Sequence, residues 1–97
     1  MNTLVVVATI KAKNGKEAAL REVLRSLVAP TLVEQGCMRY ELNEAEDGKS
    51  WVFTEQWQSK SLWEQHMASP QLDRFKTISE EMVAHFELFT GALVNEY

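Results

Sequence analysis

The sequence predicts an α+β sandwich: four antiparallel strands in one sheet, helices packed on one side, in the order βαββαβ. Three observations lead there. Short runs rich in β-branched and aromatic residues alternate with stretches whose apolar residues recur at helical spacing. Two of the short runs, 37–45 and 50–57, flank Asp47-Gly48, a pair suited to a tight hairpin turn. The first run, 3–12, is apolar in both of its alternating sets, as in a strand covered on both faces.

Within 3–12, Leu4, Val6, Ala8 and Ile10 share one side and Val5, Val7 and Thr9 the other, and Asn14-Gly15 ends the strand. Residues 16–35 read as one long helix, with Leu20, Val23, Leu24, Leu27 and Val28 opposite Glu17, Arg21, Glu22 and Arg25. Pro30 should kink or end that helix near Val28, with one more turn through Thr31 to Glu34 before Gly36 releases the chain. In the hairpin, a type I′ turn at Asp47-Gly48 sets Leu42 opposite Phe53, Tyr40 opposite Glu55 and Met38 opposite Trp57, all on one face. Arg39, Glu41, Asn43, Val52, Thr54 and Gln56 fall on the other, more polar face. A slip of one residue would destroy that segregation.

Residues 59–68 form a short helix capped by Ser59 or Ser61, with Leu62, Trp63 and His66 at helical spacing. Ser69-Pro70 restarts a second helix, whose buried stripe is Leu72, Phe75, Ile78, Met82 and Val83. His85 follows as a C-terminal turn residue, and the last strand is expected over 87–96 with Gly91 as a bulge. A central hairpin and two helical crossovers make this a ferredoxin-like layer. Its helices cover only one side of the sheet. The other side of the first strand is also apolar, so a second copy of the chain is expected against it, giving a homodimer packed sheet to sheet.

The 97 residues fit one domain, 1–97, with 45% hydrophobic and 25% charged residues. A net charge of -4 with scattered basic residues argues against nucleic acid and anionic membranes as partners. A single cysteine, Cys37, and no leader-like or membrane-spanning run lead to a cytoplasmic expectation. The two histidines, His66 and His85, stand in no metal-binding spacing. There is no Gly-rich phosphate loop and no GxSxG elbow, so side chains and substrate are expected to carry the chemistry without a cofactor.

One stretch points to that chemistry. Phe53-Thr54-Glu55-Gln56-Trp57 sets a carboxylate among aromatic side chains, and His66 returns towards it from the following helix. A carboxylate that orients an imidazole raises its basicity, and aromatic walls suit a planar ligand. Glu55 and His66 are therefore the candidate catalytic pair, with Tyr40, Phe53, Trp57 and Trp63 as candidate substrate contacts. The plainer reading is also open. Glu55 can be a structural partner of Tyr40, His66 a satisfied core residue, and the aromatics simple packing. Cys37 reads as packing, because no cation beside it in sequence favours a thiolate.

The run Pro30-Thr31-Leu32-Val33-Glu34-Gln35-Gly36-Cys37, followed by Tyr40, Glu55-Gln56-Trp57, His66 and Ser69-Pro70, resembles the antibiotic biosynthesis monooxygenase family, in particular its small quinol monooxygenases. That resemblance spans nearly the whole chain. It implies a dimeric α+β barrel with a pocket between sheet and helices in each subunit. It also implies oxidation of small phenols or quinols by molecular oxygen without metal or flavin. Polyketide-type members carry Asn and Tyr where this chain has Phe53 and Trp63, while the Trp is matched by Trp57. The residues that haem-degrading members need are replaced by Ala8, His66 and Lys76. Two alternatives stand beside oxygenation: isomerisation of a small phosphorylated hydroxy-ketone, and non-catalytic binding of small aromatics.

Overall fold

The computed structural model describes residues 3–95. Its elements are β1 (Leu4–Ala12), α1 (Glu17–Ser26), α2 (Val28–Leu32), β2 (Cys37–Glu44), β3 (Ser50–Trp57), α3 (Lys60–Met67), α4 (Pro70–Met82) and β4 (Val83–Gly91). They form the ferredoxin-like α+β fold, a four-stranded antiparallel sheet ordered β2-β3-β1-β4. Strand alternation decides the faces. Val6, Ala8, Ile10 and Ala12 of β1, with Trp51, Phe53, Glu55 and Trp57 of β3, are buried towards the helices. Val5, Val7, Thr9, Val52 and Thr54, on the opposite face, are only half-buried.

The helical stretch after β1 breaks in two near Val28, as Pro30 predicts, and its second segment ends at Leu32 rather than near Glu34 or Gln35. Pro30 lacks the N–H that would bond the Ser26 carbonyl, so α1 stops there and α2 restarts past Leu27. Leu20, Leu24 and Leu27 pack into the core beneath this bend. Gly36 leads into β2 with φ +87°, and a Cβ on it would lie 2.5 Å from Leu62 Cδ1. Only glycine fits so close to α3, and this approach brings the chain from α2 past the helix that carries His66. As expected, the Ser59 hydroxyl caps α3 by accepting from the Leu62 N–H at 3.2 Å, and Pro70 stands at the start of α4.

The hairpin keeps its expected register, with Leu42 opposite Phe53 and Tyr40 opposite Glu55. The exception is its open end. Cys37, not Met38, faces Trp57, because a bulge between Cys37 and Arg39 turns Met38 out to solvent. The turn also differs from the expected type I′. Only Gly48 has positive φ, at 70°, and its N–H donates to the Ala45 carbonyl at 2.9 Å around Glu46-Asp47. Trp51 Nε1 donates to Glu44 Oε1 at 2.9 Å, and Arg21 pairs with the same oxygen at 2.8 Å, tying α1 to the hairpin.

The last strand starts earlier than the sequence predicts, at Val83 directly after α4, and ends at Gly91; the expected position Glu96 lies outside the described residues. Val83 therefore leaves the helix stripe, and His85 sits inside β4 opposite Lys11 instead of in a helical turn. The irregularity is not at Gly91 but where Ala12 pairs with Val83 and Lys11 with His85. Pairing with the full length of β1 satisfies the backbone here better than another helical turn, and helix periodicity alone could not reveal that. β4 is an edge strand, and Phe86, Leu88 and Phe89 on it remain substantially exposed.

Candidate active site

A cavity of about 220 Å³ opens between the helix-covered face of the sheet and the pair α3–α4. Strand alternation puts Ala8 and Ile10 of β1, Tyr40 of β2, Phe53 and Glu55 of β3, and Phe86 and Leu88 of β4 on its floor. Trp63, His66 and Met67 of α3 and Leu72, Phe75, Lys76 and Ser79 of α4 close it from above. Most of this wall is hydrocarbon or aromatic. The polar groups are few, and each has a definable environment.

His66 projects from the last turn of α3 and is 3% exposed. Its Nδ1 lies 2.6 Å from Glu34 Oε1, while Gln71 Nε2 donates to Glu34 Oε2 at 3.0 Å. A carboxylate there accepts the Nδ1–H of the neutral ring, which leaves Nε2 as the ring's remaining proton acceptor. The Trp57 indole lies tilted against the imidazole at 4.7 Å between centroids, and the Tyr40 ring meets it edge-on at 5.4 Å. These contacts restrict the ring's rotation. Burial holds His66 below the usual histidine range, with the Lys76 charge acting the same way, while the Glu34 carboxylate opposes the shift. A neutral imidazole at neutral pH, held in one tautomer, is the form able to accept a proton.

Glu55 is 7% exposed, and Trp57 Nε1 donates to its Oε1 at 2.9 Å. Burial pushes its carboxyl up to about 7, with the indole bond pulling the other way. Directly opposite in the sheet, the Tyr40 phenol is pushed well above its ordinary value by burial and then by the Glu55 charge. Cys37 is likewise raised, by burial first and then by Glu55 and Glu34, so its thiol keeps its proton.

The structure brings five of the six sequence-selected residues, His66, Glu55, Tyr40, Phe53 and Trp63, to one cavity wall. Trp57 is not on that wall: fully buried, it packs behind His66 and holds Glu55. The partners also differ from those expected. Glu34, not Glu55, holds the imidazole, and Trp57, not Tyr40, bonds Glu55. The reason is the chain path after the Pro30 break, which carries Glu34 across to α3. Sequence reasoning assigned Glu34 no role. Its one signal was a carboxylate just before Gly36, at a point where the chain must turn. Phe86 was missed because it precedes the expected strand, and Leu88, inside that strand, because neither of its faces was assigned to the site.

A buried, carboxylate-held histidine on the wall of an aromatic cavity is an arrangement chemically able to accept a proton from a flat, apolar ligand. Sequence comparison gives the family. The model of the antibiotic biosynthesis monooxygenase family matches residues 3–78, and this chain belongs to that family. A curated Mycobacterium tuberculosis protein, named "Putative monooxygenase Rv0793", is 30% identical over 78 residues, covering 80% of this chain and 77% of its own. The crystal structure of PA3566 from Pseudomonas aeruginosa superposes with a TM-score of 0.94 at 29% identity, covering 98% of this chain and 97% of that one. That of SO0527 from Shewanella oneidensis gives 0.91 at 31% identity, covering 95% and 91%.

Proposed function

We propose that the protein is a monooxygenase that oxidises a small quinol or related electron-rich phenol with molecular oxygen, using His66 as the general base. The carrying observation is the His66–Glu34 contact at 2.6 Å on the wall of an aromatic cavity. With Nδ1 engaged by Glu34, Nε2 takes a phenolic proton. The resulting anion is electron-rich enough to pass electrons to oxygen. One oxygen atom enters the ring, the other leaves as water, and the quinol becomes a hydroxyquinone, so substrate alone supplies the electrons. Tyr40, Phe53 and Trp63 position the ring, and the apolar wall keeps bulk water from the anion. Trp57 acts from behind, by fixing the imidazole plane.

Oxygen uptake with a panel of hydroquinones tests this directly. His66→Ala should lower turnover by ~10²–10⁴-fold, the usual contribution of positioned proton transfer. Unchanged turnover by that variant overturns the assignment. A second reading, isomerisation of a phosphorylated hydroxy-ketone, draws on Lys76, a cationic group on the cavity wall. Turnover under strictly anaerobic conditions would favour it, whereas tryptophan quenching by quinones with no turnover would leave only a binding module. The proposal also includes a cytoplasmic homodimer joined through the sheet face of Val5, Val7 and Phe89, the last 57% exposed. Phe89→Asp should halve the sedimenting mass if that face is the interface.

A further inference from the structure

Glu55 is left without a task once Glu34 is seen to hold the imidazole. It lines the cavity, is buried, and has no cationic partner among the described residues. Its one hydrogen bond, from the Trp57 indole, engages Oε1. Oε2 has no hydrogen-bond partner among the described residues. His66 and Glu55 thus border the same cavity with separate hydrogen-bond partners, Glu34 for one and Trp57 for the other, while Trp57 also packs against the imidazole. Two proton-active groups at one apolar cavity, each with its own hydrogen-bond partner, are the arrangement needed for one to accept a proton while the other gives one.

We propose that Glu55 is a proton donor in its own right, giving a proton from its carboxyl group to ligand oxygen in the cavity where His66 accepts one. The inference rests on the oxygenase reading for its reaction step, and the balance there is complete. His66 takes a phenolic proton, and the anion adds oxygen at a ring carbon to form a peroxide anion. Glu55 protonates its outer oxygen. The O–O bond then breaks: the ring C–H proton returns to Glu55, and hydroxide leaves with the proton held by His66 as water. Both groups are restored, and quinol plus oxygen has become hydroxyquinone plus water.

The surroundings favour a neutral carboxyl. Tyr40 and Cys37 on β2 are both kept protonated, Glu34 lies behind His66, and β1 presents Val6 opposite Glu55. Lys76 on α4 is the cation facing the cavity, and its ammonium donates to the Met67 carbonyl at 2.7 Å. Burial among these groups raises the carboxyl to about 7, against the pull of the Trp57 indole bond.

Glu55→Gln is the decisive variant, because the amide oxygen can still accept from Trp57 while the side chain no longer titrates. Infrared difference titration should show a protonated-carboxyl carbonyl band at pH 6 that fades with a midpoint near 7 and is missing in Glu55→Gln. Its absence from the native protein, or its persistence in the variant, overturns the proposal. In quinol oxidation, Glu55→Gln should lower the rate at least ~10-fold and remove the fall in rate above pH 7. An unchanged rate and pH profile overturns it. Duroquinone, which can only accept hydrogen bonds, is the probe independent of turnover. Its affinity, read by tryptophan quenching, should weaken about tenfold from pH 6 to pH 8 in the native protein and stay level in Glu55→Gln. Absent or pH-independent binding by the native protein overturns the proposal. If no quinol is oxidised, the oxygenase reading falls, and the band and duroquinone still decide whether Glu55 holds and donates a proton.

Discussion

The two ends of the sheet are built differently. At the β2–β3 end, Trp51 and Trp57 are fully buried, with their indole N–H groups donated to Glu44 and Glu55. At the β4 end, Phe86 and Leu88 stand on an edge strand that the helices barely cover, and the cavity lies beside them. His66 and Glu55 sit at the boundary. Each leans on the packed end, through Trp57, and faces the open end. Rigidity for orientation and space for a ligand come from opposite halves of one sheet, which spares the site from having to supply both.

Substitutions can break or sharpen that contrast. Trp57→Ala should be the most damaging, costing about 3–5 kcal/mol because it empties a fully buried site and strips Glu55 of its donor. Chemical denaturation measures it, and a cost below about 1 kcal/mol would erase the distinction between the two ends. Next comes Glu55→Gln, with the opposite sign. The folded protein holds this carboxyl near 7, above its unfolded value, so it binds the proton more tightly than the unfolded chain does. Native stability therefore falls as pH rises from about 4.5 to 7, by about 3 kcal/mol at ~1.4 kcal/mol per pH unit. Removing the carboxyl should recover much of that at pH 8 and little at pH 4.5. His66 works the other way: its lowered value makes stability fall as pH drops below about 6.5. The variant's melting temperature should consequently rise with pH through this interval more steeply than the native protein's.

Gly36→Ala should cost about 1–3 kcal/mol, from a left-handed backbone and the collision with Leu62. Because that turn delivers Glu34 to His66, oxygen uptake should fall along with stability. Leu88→Ala, on the exposed strand, should change stability least, by about 0.5 kcal/mol, while altering which quinols are accepted. A Leu88 variant as destabilised as Trp57→Ala would show that the β4 end is packed after all.

What the residues determined alone was the alternation and its consequences. Val6, Ala8 and Ile10 against Val5, Val7 and Thr9, the Tyr40–Glu55 and Leu42–Phe53 pairs, the Ser59 cap and the Pro70 start all follow from periods and local stereochemistry, which act within a few residues. Those periods brought His66, Glu55, Tyr40, Phe53 and Trp63 to one side of the sheet. Tertiary structure decided the partners. Glu34 reaches His66 across 32 positions of sequence because the helix breaks at Leu27, ahead of Pro30, and Gly36 passes close to Leu62. Val83 joins β4 rather than α4 because β1 has hydrogen-bonding groups to pair along its length. A hydrogen bond between distant segments depends on where whole elements pack, and no local period encodes that.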